Sequence, residues 1–196
     1  MGELFLHINV SLDGYIERNN HDIDWHFADD EFEQYINEIL HSIDGMIFGR
    51  TAHEKLAEYW PLAASGGGDR AQAPTEGVSS QHIEAARMMN ELPKYVVTRG
   101  SYHTRWANSH VISGDVDAQV RRLKSDNQSL ALFAGAGVVQ SFIDLGLIDE
   151  YRLVINPIIL GSGTPLFASR STSLRLELLK SRQFRSGAVA LSYRSA

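Results

Sequence analysis

Residues 130–167, LALFAGAGVVQSFIDLGLIDEYRLVINPIILGSGTPLF, decide the fold. LALFA (130–134) is a short apolar run bounded by glycine, the pattern of a strand buried on both faces. GAG (135–137) turns the chain, and residues 138–145 read as a helix stopped by Gly146, a common C-terminal cap. A long apolar strand over 150–160 comes next, and then the GSGTP turn. Strand, helix and strand in this order make the unit from which mainly parallel sheets are built.

The same alternation extends outward in both directions. LFLHINV (4–10) predicts a central strand, and Asp13-Gly14 a turn. Over 29–41, Phe32, Tyr35, Ile36, Ile39 and Leu40 share one helical face, while Asp30 and Glu33 have capping-box spacing. GMIF (45–48) predicts a buried strand, and Gly49, Arg50 and Thr51 open a helix to about Tyr59. Residues 62–80, rich in Gly, Ala and Ser, predict a surface loop. A helix over 81–91, strands over 94–98 and 110–113 and an amphipathic helix over 115–125 complete the alternation. The end differs: 174–184 and 188–194 read as a hairpin about Ser186-Gly187, with Val189, Leu191 and Tyr193 alternating. The expectation is one α/β domain over 1–196, with a mainly parallel sheet and an antiparallel C-terminal hairpin.

Composition narrows the function. The chain has 196 residues, 43% of them apolar, a net charge of −6 and no Cys, and its pI is near 5.7. An acidic chain with scattered Lys and Arg lacks the basic face that nucleic acid needs. Without Cys there is no disulfide, thiolate zinc site or Cys nucleophile, and the eight His show no ligand spacing, so no metal is expected. The N-terminal apolar run is short, carries Glu3 and lacks a basic start, and no stretch has the length of a membrane span. A soluble cytoplasmic protein without membrane contact is expected.

Three strand-to-helix or strand-to-loop junctions suit an anion. At Gly135-Ala136-Gly137, glycines let a phosphate approach the backbone and a helix N-terminus offers free N–H groups. The turn is not a Rossmann fingerprint: Gln140 stands at the third glycine position, and the remainder of the chain reads as antiparallel. A plain structural turn would have the same sequence. Gly49-Arg50-Thr51 adds a cation whose fork suits phosphate, and Thr98-Arg99-Gly100 repeats the theme. Each Arg taken singly also fits a surface ion pair. Together the three lie at strand C-termini, the edge where open α/β sheets bind ligands.

Residues 135–167 resemble the signature of the riboflavin-biosynthesis reductase domain family, in which a Gly-rich turn and helix precede Gly-Leu-Ile-Asp-Glu and a Pro-x-x-Leu-Gly-x-Gly-x-Pro-Leu-Phe segment. Asn9-Val10-Ser11-Leu12-Asp13-Gly14 resembles that family's N-terminal motif, and Gly49-Arg50-Thr51 the nucleotide-binding turn of dihydrofolate reductases. The resemblance implies a three-layer dihydrofolate-reductase-like fold, NADPH as cofactor, a small heterocyclic substrate and a homodimer. It implies that Gly49, Arg50 and Thr51 hold cofactor phosphates and that Thr98 and Arg99 lie beside the adenosine or its 2′-phosphate. Gly135, Ala136, Gly137, Val138 and Val139 would wrap the pyrophosphate and nicotinamide side, and Asn9 and Asp13 would face the substrate. Trp25-His26-Phe27-Ala28-Asp29-Asp30 resembles the dihydrofolate reductase segment carrying the substrate-binding acid, with Asp30 at the matching offset. Two departures stand out: there is no His-and-Cys deaminase motif, and Glu54 to Pro61 replace the family's Asp-Asn-Pro-x-Leu-Thr segment.

The implied activity is NADPH-dependent reduction of a pyrimidine- or pteridine-like heterocycle, similar to 5-amino-6-(5-phosphoribosylamino)uracil reductase or dihydrofolate reductase. The alternative is a non-catalytic nucleotide- or flavin-binding module on the same fold. In the catalytic case Asp13 or Asp30 delivers a proton or orients a water, provided burial raises its pKa. Trp25, Trp60 and Tyr15 are candidates to stack on a flat substrate, with core packing the alternative for each. His7 and His26 are expected to be packed or exposed.

Overall fold

In chain order the elements are β1 (Leu4–Ser11), β2 (Tyr15–Glu17), α1 (Asp30–His41), β3 (Gly45–Gly49), α2 (Arg50–Ala63) and α3 (Ser80–Glu91). Next come β4 (Lys94–Val97), β5 (Ser109–Ile112), α4 (Val116–Ser125), β6 (Leu130–Phe133) and α5 (Ala136–Asp144). The chain ends with β7 (Glu150–Asn156), β8 (Thr164–Pro165), β9 (Leu176–Gln183) and β10 (Val189–Ser195). The structure, a computed structural model, describes residues 2–27, 29–63, 79–126, 128–167 and 173–196. Most of the expected 62–80 loop, residues 64–78, lies outside the described residues.

The main sheet has eight strands in the order β5-β4-β3-β6-β1-β7-β10-β9. The six from β5 to β7 are parallel, and β10 returns antiparallel to both β7 and β9. Alternation along β1 divides the core. Leu4, Leu6 and Val10 face α4 and α5 with Val120, Val139 and Phe142. Phe5 faces α1, α2 and α3 with Ile39, Leu56 and Met89. The sheet is therefore buried on both sides, which explains the apolar runs of its central strands.

Local chemistry sets the helix ends. The α1 cap is Asp29, whose carboxylate accepts from Phe32 N at 2.8 Å. Asp30 is the first helical residue, so the cap lies one position earlier than expected, and with Phe32 three residues after it the expected capping box does not form. Asp115 caps α4 in the same way. Gly146 takes φ 62° and ends α5 by donating to Ile143 O.

Two expectations are corrected. The strand predicted over 150–160 stops at Asn156, because Pro157 has no N–H to continue the ladder. The helix expected to end near Tyr59 runs to Ala63 and contains Pro61. The turn expected at Asp13-Gly14 forms, with Gly14 N donating to Ser11 O at 3.0 Å, and leads into β2, which pairs with β8 in a second, two-stranded sheet.

Candidate active site

The parallel strands place their C-terminal ends on one rim. There β4, β3 and β6 are consecutive neighbours, with Gly49 opposite Val97 and Phe48 opposite Phe133. The junctions at Thr98–Gly100, Gly49–Thr51 and Ala134–Gly137 thus stand side by side.

Two of these junctions interlock. A Cβ on Gly49 would lie 2.9 Å from Val138 Cγ2, so glycine is what allows the first turn of α5 to seat against the end of β3. The other side of that turn is open: added Cβ atoms on Gly135 or Gly137 would meet nothing within 4 Å. Gly135 is the N-cap and supplies no side-chain hydrogen bond to the helix. The amides of Val138 and Val139 both donate to Gly135 O at 3.1 Å, and the Val139 side chain is buried in the core. The amides of Ala136 and Gly137, in the first turn, have no such acceptor within their own helix. An uncovered backbone turn at a helix N-terminus fits a phosphate, so the donor set is compatible with a dinucleotide.

Beside it stand the cations. Arg50 is exposed; its Nε donates to Glu54 Oε1 at 2.8 Å, and its guanidinium lies 5.4 Å from the Tyr102 ring centre. The hydrogen bond and charge of Glu54 raise the Arg50 pKa. Thr51 is exposed. Thr98 N donates to Ile112 O at 3.2 Å, and its Oγ1 accepts from Gly100 N at 3.3 Å. Arg99 is exposed and forms no ion pair among the described residues.

Farther along the rim, β1 and β7 extend past β6 and carry polar side chains on the α1 face. Asn156 is fully buried: Nδ2 donates to Asn9 Oδ1 and Val154 O, both at 3.1 Å, and Oδ1 accepts from Phe27 N at 3.0 Å. This ties the segment carrying Trp25 and His26 to the strand ends. Trp25 is 5% exposed and meets the His26 ring edge-on at 4.3 Å. Trp25 Nε1 and His26 Nε2 are buried without a described partner. His7, also on β1, packs against Tyr35 and Phe133, and its Nδ1 is likewise unpartnered. Burial above all lowers its pKa to about 3, helped by the charges of Arg152 and His26. It is a neutral ring buried on the α1 face of β1.

The acids behave differently from expectation. Asp13 accepts from Ser11 Oγ at 2.7 Å, Leu160 N at 3.1 Å and Gly161 N at 2.7 Å. Desolvation pushes its pKa up, but these hydrogen bonds outweigh it and the net shift is downward. The raised pKa expected of Asp13 is therefore corrected: the group is an anion that clasps the β1–β2 turn to the loop after β7. Asp30 is exposed and makes no described hydrogen bond. Tyr15 pairs with Pro165 in the small sheet. Trp60 stacks on His82, with ring centres 5.6 Å apart and planes at 22°, so one face is already taken.

Asn156, His7, Tyr102 and His53 are not singled out by the sequence as site residues. An Asn ending an apolar strand before Pro157 is the one visible signal. A cavity of about 370 Å³ lies away from this rim, between α1 and the β9–β10 hairpin. Its arginines are satisfied, Arg182 by Glu38 at 2.7 Å and Arg152 by Glu150 at 2.8 Å. No described helix is long and apolar enough to cross a membrane.

This strand order, with glycine turns on its C-terminal rim and an antiparallel closing hairpin, defines a dihydrofolate-reductase-like domain. The sequence profile of the RibD C-terminal domain matches residues 3–190, and the chain belongs to that family. The uncharacterized protein YyaP of Bacillus subtilis (strain 168) is 29% identical over 191 residues, 97% of this chain and 93% of that protein. A Shewanella sp. PV-4 protein, provisionally described as a riboflavin biosynthesis protein, superposes with a TM-score of 0.71 at 21% identity over 99% of both chains. Dihydrofolate reductase from Enterococcus faecalis, complexed with NADP(H) and RAB-propyl, gives a TM-score of 0.63 at 12% identity over 99% of this chain and 96% of its own. At these identities the two structures speak to the fold.

Proposed function

We propose that this chain is an NADPH-dependent reductase of a small pyrimidine- or pteridine-like heterocycle. The observation that carries the proposal is the adjacency of three phosphate-compatible junctions on neighbouring strands of one rim. Membership of the RibD C-terminal domain family supports it. So does the likeness in fold to a dihydrofolate reductase bound to NADP(H).

In this reading Gly49, Arg50 and Thr51 hold cofactor phosphates, with Arg50, Thr98 and Arg99 toward the adenosine 2′-phosphate. The amides of Ala136 and Gly137 receive the pyrophosphate. When bound, the nicotinamide supplies the hydride. The protein's part is to position a flat substrate between Asn9, Trp25 and His7 and to exclude water there. Asp30, uncommitted among the described residues, orients the water that returns a proton to the reduced ring. Asp13 keeps the rim loops closed. A homodimer is part of the proposal: β9 is an edge strand with Leu178 and Leu179 about half exposed, and sedimentation would measure the assembly state.

Titration with NADPH, followed by tryptophan fluorescence, tests the cofactor assignment. Micromolar binding is expected, with Arg50→Ala weakening NADPH far more than NADH. No binding of either nucleotide would overturn the assignment. Tight binding without oxidation in the presence of dihydrofolate or a ribosylaminopyrimidine would favour a non-catalytic nucleotide-binding module or a different heterocycle.

A further inference from the structure

Resting on the cofactor reading above, we infer that Tyr102, anchored by His53, is a positioning residue that aims Arg50 and so sets the preference for a 2′-phosphorylated adenosine. Arg50 and His53 stand three residues apart on α2 and share a helix face. Tyr102 reaches up to both from the loop between β4 and β5. Its ring carries the Arg50 guanidinium at 5.4 Å. Its hydroxyl lies 2.8 Å from His53 Nδ1, and His53 Nε2 lies 3.0 Å from Ser109 Oγ.

Both imidazole nitrogens of His53 are thus engaged, one toward the loop and one toward β5. The ring is fully buried against Phe48 and Trp106, with centres 5.9 and 5.2 Å away. Burial, with a further push from the charge of Lys94, lowers its pKa to about 4, so it is neutral in ordinary buffers. A neutral imidazole has one donor and one acceptor, which matches two hydroxyl partners.

The consequence falls on Arg50. A free arginine loses considerable side-chain entropy when it grips a ligand. Here the Tyr102 face supports the guanidinium plane, and Glu54 engages Nε at 2.8 Å. The terminal nitrogens are left without a described partner and can present a fork to a phosphate. Tyr102 does not need to touch the ligand. It holds the group that does.

The test uses the full chain and two probes, 2′,5′-ADP and 5′-ADP, with calorimetric Kd as the readout. Tyr102→Leu removes the aromatic face and should raise the Kd of 2′,5′-ADP about five- to ten-fold. The Kd of 5′-ADP should change by less than about two-fold, the scale expected where no cation–π contact is lost. Tyr102→Phe keeps the face but loses the hydroxyl that His53 anchors, so it should lose part of the preference, about two- to three-fold. It also serves if the leucine variant fails to fold, and an unchanged preference there would remove His53 from the inference. In an Arg50→Ala background, Tyr102→Leu should have no further effect on 2′,5′-ADP. Equal weakening of both probes, or an undiminished effect without Arg50, would overturn the inference while leaving the cofactor reading intact. If the wild-type chain binds neither probe, the cofactor reading itself fails and the inference falls with it.

Discussion

The Cγ2 methyl of Val138 lies 2.9 Å from where a Cβ on Gly49 would stand. The end of β3 and the first turn of α5 are thereby locked together, and with them the arginine and glycine sides of the candidate cofactor cradle. Gly49→Ala should push α5 outward, costing about 1–3 kcal/mol in the way overpacked cores do. It should also weaken NADPH, because Arg50 and the Ala136–Gly137 amides lose their relative placement. Trimming the opposing side chain in Gly49→Ala/Val138→Ala should restore part of both. A double variant no better than Gly49→Ala, by urea denaturation and NADPH titration, would mean that the contact is not what requires glycine.

Asp13 is a test of role by chemistry. Its carboxylate is filled by Ser11 Oγ and by the amides of Leu160 and Gly161. Although desolvation opposes it, the pKa falls. Its contribution to stability is therefore complete above the ordinary carboxylate pKa and is lost as pH drops through the lower folded value. Between pH 5 and 8 it does not change charge. Asp13→Asn should lower thermal stability and speed proteolysis of the 157–163 loop, while the pH dependence of turnover stays the same over that interval. Disappearance of a pH limb in the variant would return Asp13 to proton transfer.

How much of this is legible in the sequence depends on distance along the chain. The rim is readable because each junction is local: a buried strand, a glycine, a helix start. Gly49, Arg50 and Gly135 to Gly137 can be picked out from their neighbours alone. The environment of Asp13 is not, because the amides that fill it come from Leu160 and Gly161, far along the chain. Asn156 escapes notice for the same reason, since its partners Asn9 and Phe27 lie at the other end of the sequence. Trp60 looks available until His82 occupies its face. The overlong strand after Glu150 is a different error: the apolar run outweighs Pro157, which cannot donate to the ladder.

Lys94, the first residue of β4, shows how the edge of the sheet opposite the rim is braced. It is fully buried, and Nζ donates to Met89 O at 2.9 Å, Asn90 O at 3.0 Å and Leu92 O at 2.7 Å, with the Trp106 ring centre 4.7 Å away. The ammonium thus satisfies the carbonyls at the C-terminal end of α3. Lys94→Met fills the space but takes this donor from Met89 O and Leu92 O, while Asn90 O keeps Asn108 Nδ2 at 3.2 Å, and should cost about 3 kcal/mol. The measure is the urea midpoint at unchanged m-value. A midpoint within error of wild type would show that the carbonyls find other donors.

Three histidines make stability depend on acid in a definite direction. Burial lowers the pKa of His7 to about 3, with Arg152 and His26 adding to the effect. Burial likewise lowers His26 to about 4 against the pull of Asp24, and His53 to about 4 with help from Lys94. In the unfolded chain all three protonate near the ordinary histidine pKa of about 6.5. Between that value and the folded pKa the unfolded state binds more protons, so stability rises with pH. It is complete above about pH 6.5 and is lost as pH falls toward the folded values. The slope for a buried group such as His7 approaches about 1.4 kcal/mol per pH unit, and the other two add in the same sense. Urea denaturation at pH 7.5, 6, 5 and 4.5 should therefore show a steepening loss. His7→Phe, which keeps a ring against Tyr35 and Phe133, should remove about one group's share of the slope. A flat profile down to pH 5, or one unchanged in His7→Phe, would mean that these rings take up protons without unfolding, which a buried and unpartnered Nδ1 argues against.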